Sequence, residues 1–175
     1  MKKLRFVSVI IFLLLFCPFI KQCEGSLNEK YVDLESKNNN YFDNVSFQFF
    51  KYFNESSENV FELAYDNGKL IIDGVIVEKK SIINDKGFFT VFSFCLLSIS
   101  LIISSFLTLI YSFLEKHDKM RIFAILNIVF IISIQITFCF SGMFERIGQI
   151  KFGFYLLLFS NFYMMYLLKQ KQQQI

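Results

Sequence analysis

An uncharged run from Phe88 to Leu114 is the feature that most constrains how this chain can fold. The run is longer than the roughly 20 residues that an α-helix needs to cross a bilayer. A second uncharged run covers residues 122–140, and a third, shorter apolar run covers residues 152–168. The sequence therefore predicts an α-helical bundle of three transmembrane helices, which leaves room for one small domain outside the membrane.

The N-terminal segment has the layout of a secretory signal. Residues 1–5 are basic, residues 6–20 are apolar, and Gly25 places a small residue before Ser26. We expect residues 1–25 to be a signal peptide that is cleaved after Gly25. The alternative is an uncleaved signal anchor, because the apolar run is at the upper length limit for a signal, and the bundle would then have four membrane helices. In both cases the following segment is exported.

Residues 26–87 are expected to form an extracellular or lumenal domain. Residues 26–44 are polar and without period, which is typical of a flexible arm. Residues 45–80 contain short apolar runs separated by Asn67-Gly68 and Asp73-Gly74, two dipeptides that favour tight hairpin turns. This pattern predicts a small antiparallel β meander.

The basic residues predict the orientation of the membrane helices. The loop 115–121 and the tail 169–175 together carry five basic residues, whereas the turn 141–151 carries two. Because basic residues are enriched in short cytosolic loops, we expect the loop and the C-terminal tail to be cytosolic and the turn to be outside. The chain is then a multi-pass protein of the secretory pathway, in the plasma membrane or an endomembrane. Positive charge that flanks membrane segments does not indicate a nucleic-acid partner.

Two sequons lie in the segment that is expected to be exported. Asn44-Val45-Ser46 and Asn54-Glu55-Ser56 both have the N-x-Ser pattern without proline at the middle position. We expect N-glycosylation at Asn44 and Asn54.

The first membrane helix carries its hydroxyl groups on one side. Eight Ser and Thr residues between residues 90 and 112 fall within about 160° of a helical wheel, and large apolar side chains occupy the opposite face. Membrane-depth amides occur in the other two helices. The predicted packing or pore-lining residues are Ser98, Ser105, Ser112, Asn127, Gln135 and Asn161. Small hydroxyl residues let helices approach closely, and the alternative is the wall of a water-filled path.

Few residues in this chain are suited to catalysis. The single histidine, His117, lies among charged residues in a loop, and the cysteines have no metal-ligand spacing. No Asp, Glu, Lys, Arg or His lies inside the three predicted spans, which argues against a proton relay or an ion-coupled carrier. We therefore predict a protein that is not an enzyme, with no catalytic residue, metal or cofactor.

The leading hypothesis is a structural or interaction glycoprotein or a complex subunit. Its partners would be membrane lipid and a protein that binds the outer domain or the helix bundle. A small channel or transporter component lined by the hydroxyl face is the alternative. If the signal is uncleaved, one span, an outer segment and three further spans give a layout that resembles the claudin-like tetraspan proteins. The resemblance is one of layout, since the outer segment has no Trp and no cysteine pair.

Overall fold

A computed structural model describes residues 2–21, 57–76, 86–140 and 150–172 of the chain. Its elements in chain order are α1 (Lys2–Leu14), β1 (Ile20–Lys21), β2 (Ser57–Glu58), α2 (Val60–Ile76), α3 (Lys86–Phe113), α4 (His117–Phe140) and α5 (Phe152–Gln172). The described part is therefore a bundle of five helices. Its one β ladder joins two residues to two, with Ile20 opposite Glu58 in antiparallel register.

The predicted β meander is wrong, because residues 60–76 form the single helix α2. A capping box starts this helix. The Oδ1 atom of Asn59 accepts hydrogen bonds from the backbone N–H groups of Phe61 and Glu62, both at 3.0 Å, and the Glu62 carboxylate accepts the Asn59 N–H at 2.9 Å. This reciprocal arrangement satisfies donors that a helix start otherwise leaves unpaired.

The two dipeptides that indicated hairpin turns lie inside α2. Asn67 is buried, and its side-chain amide donates to the Leu63 carbonyl at 2.7 Å. Gly68 faces α3, where an added Cβ would lie 3.7 Å from the sulfur of Cys95. Packing against α3 thus outweighs the local turn preference. The remaining parts of the predicted meander, residues 45–56 and 77–80, lie outside the described residues, as does the predicted flexible arm.

Helices form at all three predicted membrane segments. Of the described helices, α3 and α4 are long and apolar enough to cross a membrane, whereas three such helices were expected. Only 33% of the apolar window of α3 and 28% of that of α4 are buried inside the protein. A core helix of a soluble protein would be mostly buried. The low burial favours a membrane protein over a soluble one.

The outward faces of the bundle are apolar. The side chains with the greatest exposure on the two long helices are Phe89, Phe113 and Ile122, which are more than half exposed, and Phe140, which is 87% exposed. Soluble monomers rarely expose contiguous apolar patches of more than a few hundred Å². A surface of this kind is suited to lipid.

Helix α1 is packed into the bundle. It contacts α3 and α5, and it buries Leu4, Val7, Ser8 and Ile11 along one face. It ends ahead of Pro18, which has no N–H to continue the helix. The N–H groups of residues 15–17, just after α1, bond to carbonyls three positions earlier.

The chain from Leu15 to Ile20, which we call the 15–20 segment, joins α1 to three other parts of the structure. The Leu15 carbonyl accepts the N–H of Val60, and the Phe19 N–H donates to the Glu58 carbonyl at 2.9 Å. Two further bonds lead to the start of α5: Lys151 N–H to the Phe19 carbonyl and Gly153 N–H to the Pro18 carbonyl, each at 3.1 Å. Phe19 is fully buried there.

The opposite end of the bundle is charged. Arg5 of α1 forms a salt bridge of 2.8 Å with Glu115, which follows α3. Lys171 of α5 contacts the ring of His117, and Arg121 donates to Gln172 at 3.3 Å. We call this region the charged end. Helices α1 and α4 run away from it, and α3 and α5 run towards it, so neighbouring helices are antiparallel.

The close approach of α5 to the 15–20 segment predicts a large effect for Gly153→Ala. The added Cβ would overlap the Pro18 carbonyl oxygen and would lie 3.1 Å from Cβ of Cys17. We expect a loss of about 1–3 kcal/mol in the free energy of unfolding, as for other overpacked sites.

The matched control is Gly68→Ala, whose Cβ meets only ordinary van der Waals contact. It should be neutral or stabilising by up to about 1 kcal/mol, because alanine favours a helix interior. Unfolding of the full chain in detergent measures both variants. Equal stability of the two would contradict the described docking of α5.

Candidate functional site: a buried polar seam

The bundle contains a hydrogen-bonded group of four side chains that we call the polar seam: Ser104 and Ser105 of α3, Asn127 of α4 and Asn161 of α5. Asn127 is fully buried. Its Oδ1 atom accepts the hydroxyl groups of Ser104 and Ser105, the latter at 3.4 Å. Its Nδ2 group donates to Oδ1 of Asn161 at 3.1 Å. A single amide thus links three helices.

The polar groups of the seam are satisfied by protein atoms. Asn161 is also fully buried, and its Nδ2 group donates to the Leu157 carbonyl of its own helix at 2.8 Å. The neighbouring Thr108 hydroxyl donates to the Ser104 carbonyl at 2.8 Å. Burial of an amide without partners is costly, so this closed network is the condition under which two asparagines can lie inside an apolar bundle.

The seam lies on the buried stripes of its helices. The buried residues of α4 are spaced at three or four positions, as expected for one face of a helix. They are Met120, Ala124, Asn127, Ile131, Ile134 and Phe138. The small side chains of Ser104, Ser105 and Ala124 let α3 and α4 approach closely enough for the hydroxyl groups to reach the amide.

Three of the predicted polar residues are not joined to the seam. Ser98 and Ser112 are buried on α3, but neither Oγ atom has a partner among the described residues. Gln135 lies about two turns along α4 from Asn127, where its Nε2 group makes one long contact of 3.8 Å with the sulfur of Cys139. Its Oε1 atom has no partner in the described part of the chain.

The seam contains no ionisable group. Its members are hydroxyl and amide side chains, and none is hydrogen-bonded to a base that would activate a serine as a nucleophile. Among the residues that the structure describes, no group of three or more His, Cys, Asp or Glu side chains could hold a metal ion. The arrangement is suited to joining helices.

The charged end holds a second polar group, formed by His117 and Lys171. His117 precedes the apolar part of α4, which begins at Ile122. Burial and the neighbouring Lys171 ammonium lower the pKa of His117 from its ordinary value, and the Glu115 carboxylate opposes that shift. The ring is therefore neutral at pH 7, and it is half-buried.

The helical wheel and the membrane-depth amides indicated three of the seam residues: Ser105, Asn127 and Asn161. Ser104 lies on the same hydroxyl face of the helix. A wheel gives the direction of a side chain around one helix, but it does not give the height at which a partner helix presents its amide, so it does not distinguish Ser104 from the other hydroxyl residues. The charged end could have been indicated by the basic residues that follow α3 and those in the last turn of α5. Asn44 and Asn54 lie outside the described residues, so glycosylation there stays a prediction.

No known family model, curated protein or solved structure matches this chain. The functional proposals below therefore rest on its own residues and their geometry.

The polar seam predicts that Asn127→Ala destabilises the bundle by about 1–3 kcal/mol. The substitution leaves Oδ1 of Asn161 and two serine hydroxyls without their partner inside an apolar region. Unfolding of the full chain in detergent or nanodiscs provides the measurement.

Gln135→Ala is the matched control on the same helix. Since its amide makes only one weak contact, its removal should change the free energy of unfolding by less than about 0.5 kcal/mol. A cost for Asn127→Ala no greater than that of the control would contradict the linking role of the seam.

Proposed function

We propose that this chain is a multi-pass membrane protein that acts through assembly or interaction, as a structural protein or a complex subunit, and not through catalysis. The observation that carries the proposal is the closed hydrogen bonding of Asn127 and Asn161, whose amide groups all bond to protein atoms. Polar residues of this kind join membrane helices. The apolar outward faces of α3 and α4 support contact with lipid.

The alternative of a small channel has less support. A water-filled path needs hydroxyl groups that face a continuous cavity, whereas Ser98, Ser105 and Asn127 are each 0% exposed. A carrier would also need an ionisable or coordinating group at membrane depth, and the seam offers neither.

The charged end supports one orientation of the bundle in the membrane. It gathers basic residues from three distant parts of the sequence: the start of α1, the loop between α3 and α4, and the last turn of α5. We place this end in the cytosol, by the bias of basic residues towards that side, together with the C-terminal tail. The sequons at Asn44 and Asn54 then face the lumen or the exterior, as a protein of the secretory pathway requires for glycosylation.

The packing of α1 favours its retention in the mature protein. Cleavage after Gly25 would remove the buried face of α1, the hydrogen bonds of the 15–20 segment and the salt bridge of Arg5. We therefore propose that residues 2–20 are not cleaved and stay packed against α3 and α5 in the mature protein.

The non-conducting role predicts that a cysteine at position 105 is protected from water-soluble reagents. In a chain whose native cysteines are replaced by serine or alanine, Ser105→Cys should react with a membrane-impermeant maleimide at least about 100-fold more slowly than Lys116→Cys. Position 105 is fully buried, whereas position 116 is exposed at the charged end.

Lys116→Cys is the control for access of the reagent, and unfolded protein gives the rate of full exposure for both positions. Rapid modification of Ser105→Cys in the folded protein, together with ion flux through liposomes that contain the wild-type chain, would support the channel alternative instead.

A further inference from the structure

The charged end contains a cavity of about 730 Å³ between the α3–α4 loop and the last turns of α5. Three lysines line it: Lys116 of the loop, Lys119 of α4 and Lys171 of α5. Leu168, which is buried against the bundle, forms an apolar part of the wall. The cavity therefore combines several ammonium groups with an apolar edge at the end of the apolar part of α5.

Basic side chains outnumber acidic ones among the described residues that line this cavity. Two carboxylates, Glu115 and Asp118, also line it, but Glu115 is held in a salt bridge by Arg5 at 2.8 Å. Arg5 thus offsets the charge of one carboxylate, and the lysines exceed the remaining one. A concave surface of one sign concentrates ions of the opposite sign, so an anion is the ligand that this cavity favours.

His117 also lines the cavity. The Lys171 ammonium can only donate, so in its contact with Nε2 the ring nitrogen accepts, which assigns the proton to Nδ1. Nδ1 is buried and has no partner among the described residues, so it adds no donor to the open cavity. The donors that the cavity offers are therefore the lysine ammonium groups.

We propose that this cavity, at the cytosolic end of the bundle, binds a phosphate group, carried by a lipid headgroup or by a small soluble phosphate. Three ammonium groups are donors that match the several acceptor oxygens of a phosphate monoester. Basic pockets beside membrane helices bind lipid headgroups through the same chemistry. The lipid-borne form rests on the membrane topology proposed above, whereas the binding of a soluble phosphate does not.

The test uses the purified full chain with two probes. Phosphatidic acid in phosphatidylcholine nanodiscs presents the phosphate on a lipid, and glycerol 3-phosphate presents it in solution to the protein in detergent. We expect saturable binding of at least one probe. Lys171→Gln should weaken that binding about tenfold or more, because it removes a charge-assisted hydrogen bond.

Lys169→Gln is the matched control. Lys169 lies two residues away on the same helix and carries the same charge, but it is exposed and does not line the cavity. We expect its binding to change less than about threefold, and Lys171→Arg to restore most of the affinity. If Lys171→Gln lowers the melting temperature in pure phosphatidylcholine, Lys116→Gln replaces it with the same expectation.

Binding of phosphatidic acid alone would identify a lipid headgroup site, and binding of glycerol 3-phosphate as well would identify a site for the phosphate group itself. Binding of glycerol 3-phosphate by a chain that fails to insert into nanodiscs would sustain the site and reject the membrane topology. Absence of saturable binding to both probes would overturn the proposal. Equal losses for Lys171→Gln and Lys169→Gln would also overturn it, because they would indicate diffuse attraction to a basic surface.

Discussion

The described structure depends on the backbone hydrogen bonds of the 15–20 segment. The N–H groups of residues 15–17 bond to the last turn of α1, but the carbonyls of Leu15, Pro18 and Phe19 and the N–H of Phe19 need partners elsewhere. Burial of Phe19 removes water as an option. The partners come from the chain just before α2 and from the start of α5. One segment thereby fixes the end of α1, the beginning of α2 and the beginning of α5. Buried backbone groups outside regular helices need partners of this kind.

The polar seam lies within a mostly apolar interior, and the exterior of the long helices is apolar as well. Asn127 and Asn161 lie in the interior, while large apolar side chains cover the outside of α3 and α4. Lipid provides no hydrophobic driving force for helix association, so close packing of small residues and interhelical hydrogen bonds must hold such helices together. The seam supplies both, since serines face the amide of Asn127 across the α3–α4 contact. Its closed bonding also explains why these polar residues need not mark a path for water or ions.

The sequence predicted the long helices well, because an uncharged run of bilayer length has few other stable structures. It failed at α2, where two local signals compete. Asn67-Gly68 favours a turn, and Asn59 and Glu62 favour a helix start. The packing of α2 against α3, which the sequence does not reveal, favours the helix. The residues of the seam were only partly predictable from the sequence. A wheel shows that Ser98, Ser105 and Ser112 share a face, but the axial alignment of two helices determines which serines meet Asn127. The signal-like features of α1 likewise do not reveal that its apolar face is buried by α3 and α5.

Retention of α1 is the claim on which the described packing of the bundle rests most heavily. The most direct measurement is the intact mass and N-terminal peptide of the full chain, expressed in eukaryotic cells, purified from membranes and treated with a glycosidase. If α1 is a permanent part of the bundle, the polypeptide will have a mass near 20.7 kDa and an N-terminal peptide that precedes Pro18. A polypeptide that begins at Ser26 would contradict retention, and it would require the buried contacts of Phe19, Val60 and Gly153 to be replaced by others.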